Sequence, residues 1–469
     1  MPTTKTLIIV LVCLTSLLLG GTPEEPSDPD ANDYARISDR IIDAALANEG
    51  AWKKLEYLCD RIGSRLAGSE GLRQATLWAA RTMQADGLEN VRSEPVMVPT
   101  WVRGREWASI LGPIRRELSM LGLGGSCGTG PAGIRAEVVV VRDFEELEQL
   151  GQDQVKGRIV VYNAPWEGYG KTVRYRSSGA SRAAEFGAVA VLVRSVTPTS
   201  LQTPHTGALN YAEGIPQIPA AAITIENAEL LSRLTASGEP VTVELYMEAE
   251  TRAETESANV IGELVGSELP EEVVVIGGHI DSWDVGQGAH DDGGGVAVSM
   301  EVLKLLKDLD LRPRRTIRAV LFTNEENGLR GGRAYADRVK DVIEDHVAAI
   351  EMDAGAEEPV GFGLGFRGTS VSPEQRERAL TAVQQIGRLL ARVGTDEVQP
   401  GGGGADIGPI MRLGVPGLGL RTVGTHYFDW HHTHADTLDK VRPEDLRASL
   451  ASIAVMSFIL ADMPGRLAP

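Results

Sequence analysis

Apolar positions recur along the chain in three textures. Over residues 34–48, 51–62 and 72–85 they fall three and four apart, which predicts amphipathic helices. The connector at 62–69 (IGSRLAGS) is turn-rich. From about residue 136 the texture shifts to short β-rich runs at 138–141, 159–162, 188–193 and 220–224. Helical stretches at 179–186 and 225–237 separate them, so this region reads as a module of its own. An acidic stretch at 249–257 carries no strand pattern and predicts a join. Beyond it, apolar runs at 273–276, 317–322, 347–350 and 415–420 alternate with helical patterns at 296–309, 332–344, 373–393 and 443–462. The run at 273–276 suits a strand buried on both faces. Alternation of this kind predicts an α/β fold, with a mostly parallel, mixed central sheet and helices on both faces.

The N-terminus adds a different signal. Lys5, an apolar stretch at 7–19 and then Gly20, Gly21 and Thr22 have the form of a secretory signal peptide. That stretch is short of the about 20 residues a membrane-spanning helix needs. The expected organisation is a signal peptide at 1–21, a proline-rich acidic linker at 22–33, and a main domain at 34–130 that resumes at 251–469 around a module at 131–250. The mature chain is then exported, to a secreted, periplasmic or cell-surface location, and carries no integral membrane span. Cys59 and Cys127 could pair in an oxidising compartment or stand as separate buried thiols.

Charge excludes some partners. With 469 residues and a formal net charge of −19, the chain lacks the basic surface that nucleic acid or an anionic membrane requires. It does suit a cation.

Every apolar run of the second half ends in residues of metal-ligating type. The first leads to His279, Asp281, Asp291 and Asp292; the second to Glu325 and Glu326; the third to Asp353. The fourth enters a loop with His426, His431, His432 and His434, so five of the eight histidines follow these strands. Each piece alone has a plain structural reading: a helix cap for Asp353, a solvated turn for Glu325-Glu326, a tight turn at Asp291-Asp292-Gly293. Their convergence at the C-terminal ends of strands, where open α/β sheets gather function, points to one site. The ligand types are imidazole and carboxylate without thiolate, which suits Zn²⁺. Two histidines and three carboxylates exceed what one catalytic zinc takes, and fit two ions roughly 3.5–4 Å apart that share a carboxylate.

Gly277-Gly278-His279-Ile280-Asp281-Ser282-Trp283-Asp284, the early IGSRLAGS and the strand-exit residues together resemble the co-catalytic di-zinc peptidase family that includes bacterial leucyl aminopeptidases and carboxypeptidase Q. The resemblance implies a zinc-dependent exopeptidase acting on dipeptides or short peptides with a free N-terminus. It implies two Zn²⁺ per chain, with His279 on one ion, Asp291 shared, Glu326 and Asp353 one to each, and His432 the last ligand. His432 is selected by aligning 432–437 (HTHADT) on the family's His-x-x-x-Asp-Thr form; His434 is the alternative. Asp281 would orient His279, Glu325 would be the general base, and Asp292 would shape the loop. His431 or His426 could polarise the substrate carbonyl, and His290, Arg367 and Asp406 are further pocket candidates. The insert resembles a protease-associated domain, which would cap the cleft or support a homodimer. Two other readings within this fold are a mono-zinc glutaminyl cyclotransferase and a non-catalytic, receptor-like binding protein.

Overall fold

The computed structural model describes residues 31–368 and 371–467; the leader expected at 1–21 and residues 22–30 of the linker lie outside them. Helices Ala31–Leu46, Gly50–Tyr57 and Glu70–Ala85 open the described chain. The first starts inside the stretch read as linker, and Asp33 in its first turn favours that start by complementing the positive helix end. Strand β1 (Glu89–Val102) follows and leads directly into a second sheet. That sheet holds β2 (Glu106–Gly112), β3 (Arg116–Leu118), β4 (Met120–Gly122), β5 (Ile134–Val141), β6 (Ile159–Tyr162), β7 (Ala190–Arg194), β8 (Ala220–Ile223) and β9 (Thr242–Met247). The chain returns through β10 (Glu250–Leu264), β11 (Leu269–His279), β12 (Arg315–Phe322), β13 (His346–Glu351), β14 (Pro359–Gly365), β15 (Glu397–Pro400) and β16 (Gly417–Thr422).

The main sheet has the order β1-β10-β12-β11-β13-β16-β14-β15. Its centre, β12-β11-β13-β16, is parallel; β10 on one side and β14 on the other pair antiparallel with it, and β1 pairs antiparallel with β10. Alternate residues of the central strands feed opposite layers. Val274, Ile276, Ala319 and Leu321 join the core beneath helices Gly294–Asp308 and Pro443–Asp462, and Val273, Val275, Val320 and Phe322 pack with helix Arg330–Val339 on the other face. The α/β reading with helices on both faces holds.

Two stretches differ from the sequence pattern. Residues 250–257 are strand, against the expectation of a strand-poor join; they are the first part of β10, which pairs antiparallel with β1 over Glu250–Glu263 in a long ribbon. Side chains of that part of β10 meet solvent on both faces, so the strand carries none of the apolar alternation that marks a half-buried one. The second sheet also begins at β2, ahead of residue 131, because β2–β4 are short and interrupted by Gly112, Pro113 and Gly122. Cys59 and Cys127 are separate free thiols, the first in the main core and the second beside the Tyr211 hydroxyl. No helix among the described residues is long and apolar enough to cross a membrane.

Candidate active site

The exit of β11 is built by glycine and two aspartates. A Cβ at Gly278 would overlap the Asp292 carboxylate, so only glycine lets the following loop fold back onto the strand. Asp292 then accepts the His279 N–H at 3.1 Å and the Gly295 N–H at 3.0 Å, buttressing the turn as the sequence suggests. The Asp291–Asp292 peptide is cis. Asp436 receives the N–H groups of Ala289, His290 and Asp291 at 3.0, 2.8 and 3.2 Å, which ties the loop after β16 to the loop after β11.

Asp281 works differently from expectation. Its backbone carbonyl lies 3.0 Å from His279 Nδ1, while its nearer carboxylate oxygen is 3.9 Å away. The carboxylate instead accepts the N–H groups of Glu325 and Glu326 at 3.0 and 3.3 Å, and so fixes the exit of β12. Holding Nδ1 by a carbonyl leaves Nε2 free to face a metal, the usual arrangement for an imidazole ligand.

Five side chains from four strand exits meet here. Asp291 stands at the centre, with Oδ1 3.1 Å from His279 Nε2 and Oδ2 3.2 Å from His432 Nε2. Asp353 flanks His279 at 3.4 Å, and Glu326 flanks His432 at 3.0 Å. His431 stacks on His432 with ring centroids 3.5 Å apart, and its Nε2 is 3.6 Å from Asp291 Oδ2. Ligand-type atoms within 4.8 Å of one another form three groups: His279–Asp291–Glu326, His279–Asp292–Asp353 and Asp291–His431–His432. His434 and His426 are exposed and belong to none of the three; His290 is buried, accepts the Ala356 N–H at 3.0 Å and also stays outside them, and Arg367 is exposed.

The electrostatics of this cluster call for cations. Burial and the neighbouring Asp291 push the Glu326 carboxyl up to about 7. Burial, with Asp353 and Glu326 close by, also raises Glu325. Against the opposing effect of burial, Glu326 and Asp291 lift His432 to about 9, and Asp291 with Asp353 lifts His279. Asp291 Oδ2 and Glu326 Oε1 are buried without a hydrogen-bond partner. Buried oxygens of that kind are costly unless paired, and divalent ions would satisfy them. The donor set, imidazole nitrogen and carboxylate oxygen, fits zinc.

A cavity of about 590 Å³ opens above the cluster, lined among others by Glu325, Asp353, Arg421, Tyr427, Phe428, Tyr169 and Arg176. Glu325 faces it directly. Tyr169 and Arg176 come from the module with the second sheet, and Arg176 donates to the Tyr169 hydroxyl at 2.8 Å. Nothing in their local sequence marks them. Arg65, also unforeseen, is fully buried and donates to the carbonyls of Ile280, Gly63, Gln287 and Gly288 at 2.6–3.0 Å, locking the loop after His279. The IGSRLAGS segment was its available signal. Asp406 is buried beside Glu351 and outside the cluster.

Comparison with known proteins extends this picture. The sequence profile of Peptidase family M28 matches residues 259–456. Carboxypeptidase Q of Mus musculus is 42% identical over 434 residues, covering 92% of this chain and 90% of that protein. The human carboxypeptidase Q is 42% identical over 430 residues, covering 91% and 89%. A crystal structure of a peptidase M28 precursor from Shewanella amazonensis superposes with a TM-score of 0.88 at 36% identity, covering 93% of this chain and 99% of that one. The zinc aminopeptidase of Bacillus subtilis, at 20% identity and a TM-score of 0.66 over 90% and 97% of the two chains, shares the fold. With identity above two-fifths sustained along nine-tenths of its length, the chain belongs to peptidase family M28.

Proposed function

We propose that this chain is a zinc-dependent exopeptidase that removes the N-terminal residue of dipeptides or short peptides, using two ions. The carrying observation is the position of Asp291, whose two oxygens face His279 and His432 at 3.1 and 3.2 Å. In this reading His279 and Asp353 hold one ion, Glu326 and His432 the other, and Asp291 both. Zinc held by these residues would supply Lewis acidity toward a substrate carbonyl and a water that is nucleophilic near neutral pH. Glu325 lies next to ligand Glu326 but outside the ligand groups, and its backbone is fixed by Asp281. It takes the proton of the attacking water and delivers it to the departing amine nitrogen, acting first as base and then as acid. The carboxylates around the cavity favour a substrate ammonium, which supports a free N-terminus.

The similarity to carboxypeptidase Q supports peptide hydrolysis over cyclotransferase chemistry, and the intact Glu325 and ligand set oppose a purely receptor-like role. The leader at 1–21 fits export of the mature enzyme. The test is hydrolysis of free and N-acetylated dipeptides beside tripeptides, with zinc content measured on the same protein. Cleavage of free dipeptides by zinc-loaded protein supports the reading; a metal-loaded protein that cleaves none of them refutes it.

A further inference from the structure

The module with the second sheet grips the loop that delivers His432. The His205 ring donates from Nδ1 to the His431 carbonyl at 2.8 Å, and the Thr206 N–H donates to the His432 carbonyl at 3.0 Å. His432 Nδ1 in turn faces the Thr206 carbonyl at 3.3 Å, and Arg176 donates to that same carbonyl at 3.2 Å. Thr197 Oγ1 donates to the Phe428 carbonyl at 2.7 Å. His205 is itself buried and anchored: Ser195 Oγ accepts its N–H at 2.9 Å and donates to the Ile223 carbonyl, at the end of β8, at 2.8 Å.

His432 needs such a grip. Its φ is +62°, the left-handed region that a residue other than glycine seldom occupies. A strained residue persists where its surroundings over-determine it, and here two consecutive carbonyls and the ring are held from the module. His432 Nδ1 lies 3.3 Å from both the Thr206 carbonyl and Arg176 Nη1; in the tautomer whose Nδ1–H is given to the carbonyl, the Nε2 lone pair points toward Asp291 and Glu326, as a metal ligand requires.

We infer that His205 is a positioning residue for the metal site of His432, so that one ion's affinity is set by the module across its junction with the main sheet. This rests on the two-ion reading above. The experiment is a zinc titration of the full chain against a competing chelator, for the parent and for His205→Ala, His205→Asn and His205→Gln. An Asn amide nitrogen takes the place of Nδ1, and a Gln amide nitrogen that of Nε2.

The parent is expected to take up two equivalents. His205→Ala is expected to hold one at parental affinity and to lose about tenfold for the other, the low end of what removing a ligand's own outer partner costs, because His205 holds the carbonyl one residue before the ligand. Asn restores the second affinity and Gln does not, a contrast that stands even if the Ala variant folds poorly. Parental binding of both ions by His205→Ala, equal weakening of both, or rescue by Gln in place of Asn overturns the inference. A parent that binds fewer than two ions overturns the two-ion reading itself, and this inference with it.

Discussion

Neighbouring glutamates should fail in opposite ways. Glu325 and Glu326 are adjacent, yet Glu326 Oε2 lies 3.0 Å from His432 Nε2 inside the ligand cluster, whereas Glu325 belongs to none of the ligand groups and faces the cavity. Glu325→Gln keeps the side chain's shape and the backbone bond to Asp281, so the ions should stay. What it removes is the group that carries a proton from water to the amine, worth about 10²–10⁴-fold in rate. At about 1.36 kcal/mol per decade, that raises the barrier by about 2.7–5.4 kcal/mol. Glu326→Gln should instead weaken one ion, because an amide replaces the carboxylate that balances the ion's charge. The assay is kcat/KM for a dipeptide by chromatography of released amino acids, with zinc content measured by mass spectrometry on the same preparation. Glu325→Gln with full zinc and turnover within about tenfold of the parent would remove Glu325 from the mechanism. Zinc lost from Glu325→Gln but kept by Glu326→Gln would reverse the two assignments.

Other substitutions probe the remaining parts. Asp291→Ala should lose metal more completely than any other ligand change, since it serves both ions; elemental analysis showing two retained ions would contradict this. His432→Ala should lose one zinc and nearly all activity, whereas His434→Ala, at an exposed position, should match the parent within about threefold, since surface changes away from special features are mostly small. Reversed outcomes would move the ligand to His434. Arg65→Ala should destabilise the fold by about 3 kcal/mol or more, because it strips a donor from four carbonyls around the His279 loop, of which, among the described residues, only that of Gly288 keeps another, the Gly293 N–H, and each buried orphan costs about 1–3 kcal/mol. A denaturation midpoint unchanged from the parent would contradict that accounting.

How much of this was legible in the sequence follows from where each signal resides. The run at 273–276 is unbroken and that at 317–322 is interrupted only by Arg318, so dense apolar residues announced the buried strands β11 and β12, and the polar residues just past them announced the cluster. The first part of β10 escaped because that strand is exposed on both faces, and β14 and β15 because glycines and polar residues hide their pairing. Within the site, side-chain chemistry was readable and backbone chemistry was not. The Asp281 carbonyl that meets His279, and the Thr206 carbonyl and N–H that meet His432, carry no residue-type signal. Arg176 and Tyr169 reach the cavity from more than 250 positions before His432, and only the docking of the module brings them there.

The central claim is that four strand exits gather around a pair of ions bridged by Asp291. Crystals grown with zinc, measured at the zinc absorption edge, test it most directly. The account predicts two anomalous peaks roughly 3.5–4 Å apart, one beside His279 and Asp353 and the other beside Glu326 and His432, with Asp291 between them. A single peak, or peaks away from Asp291, would contradict it.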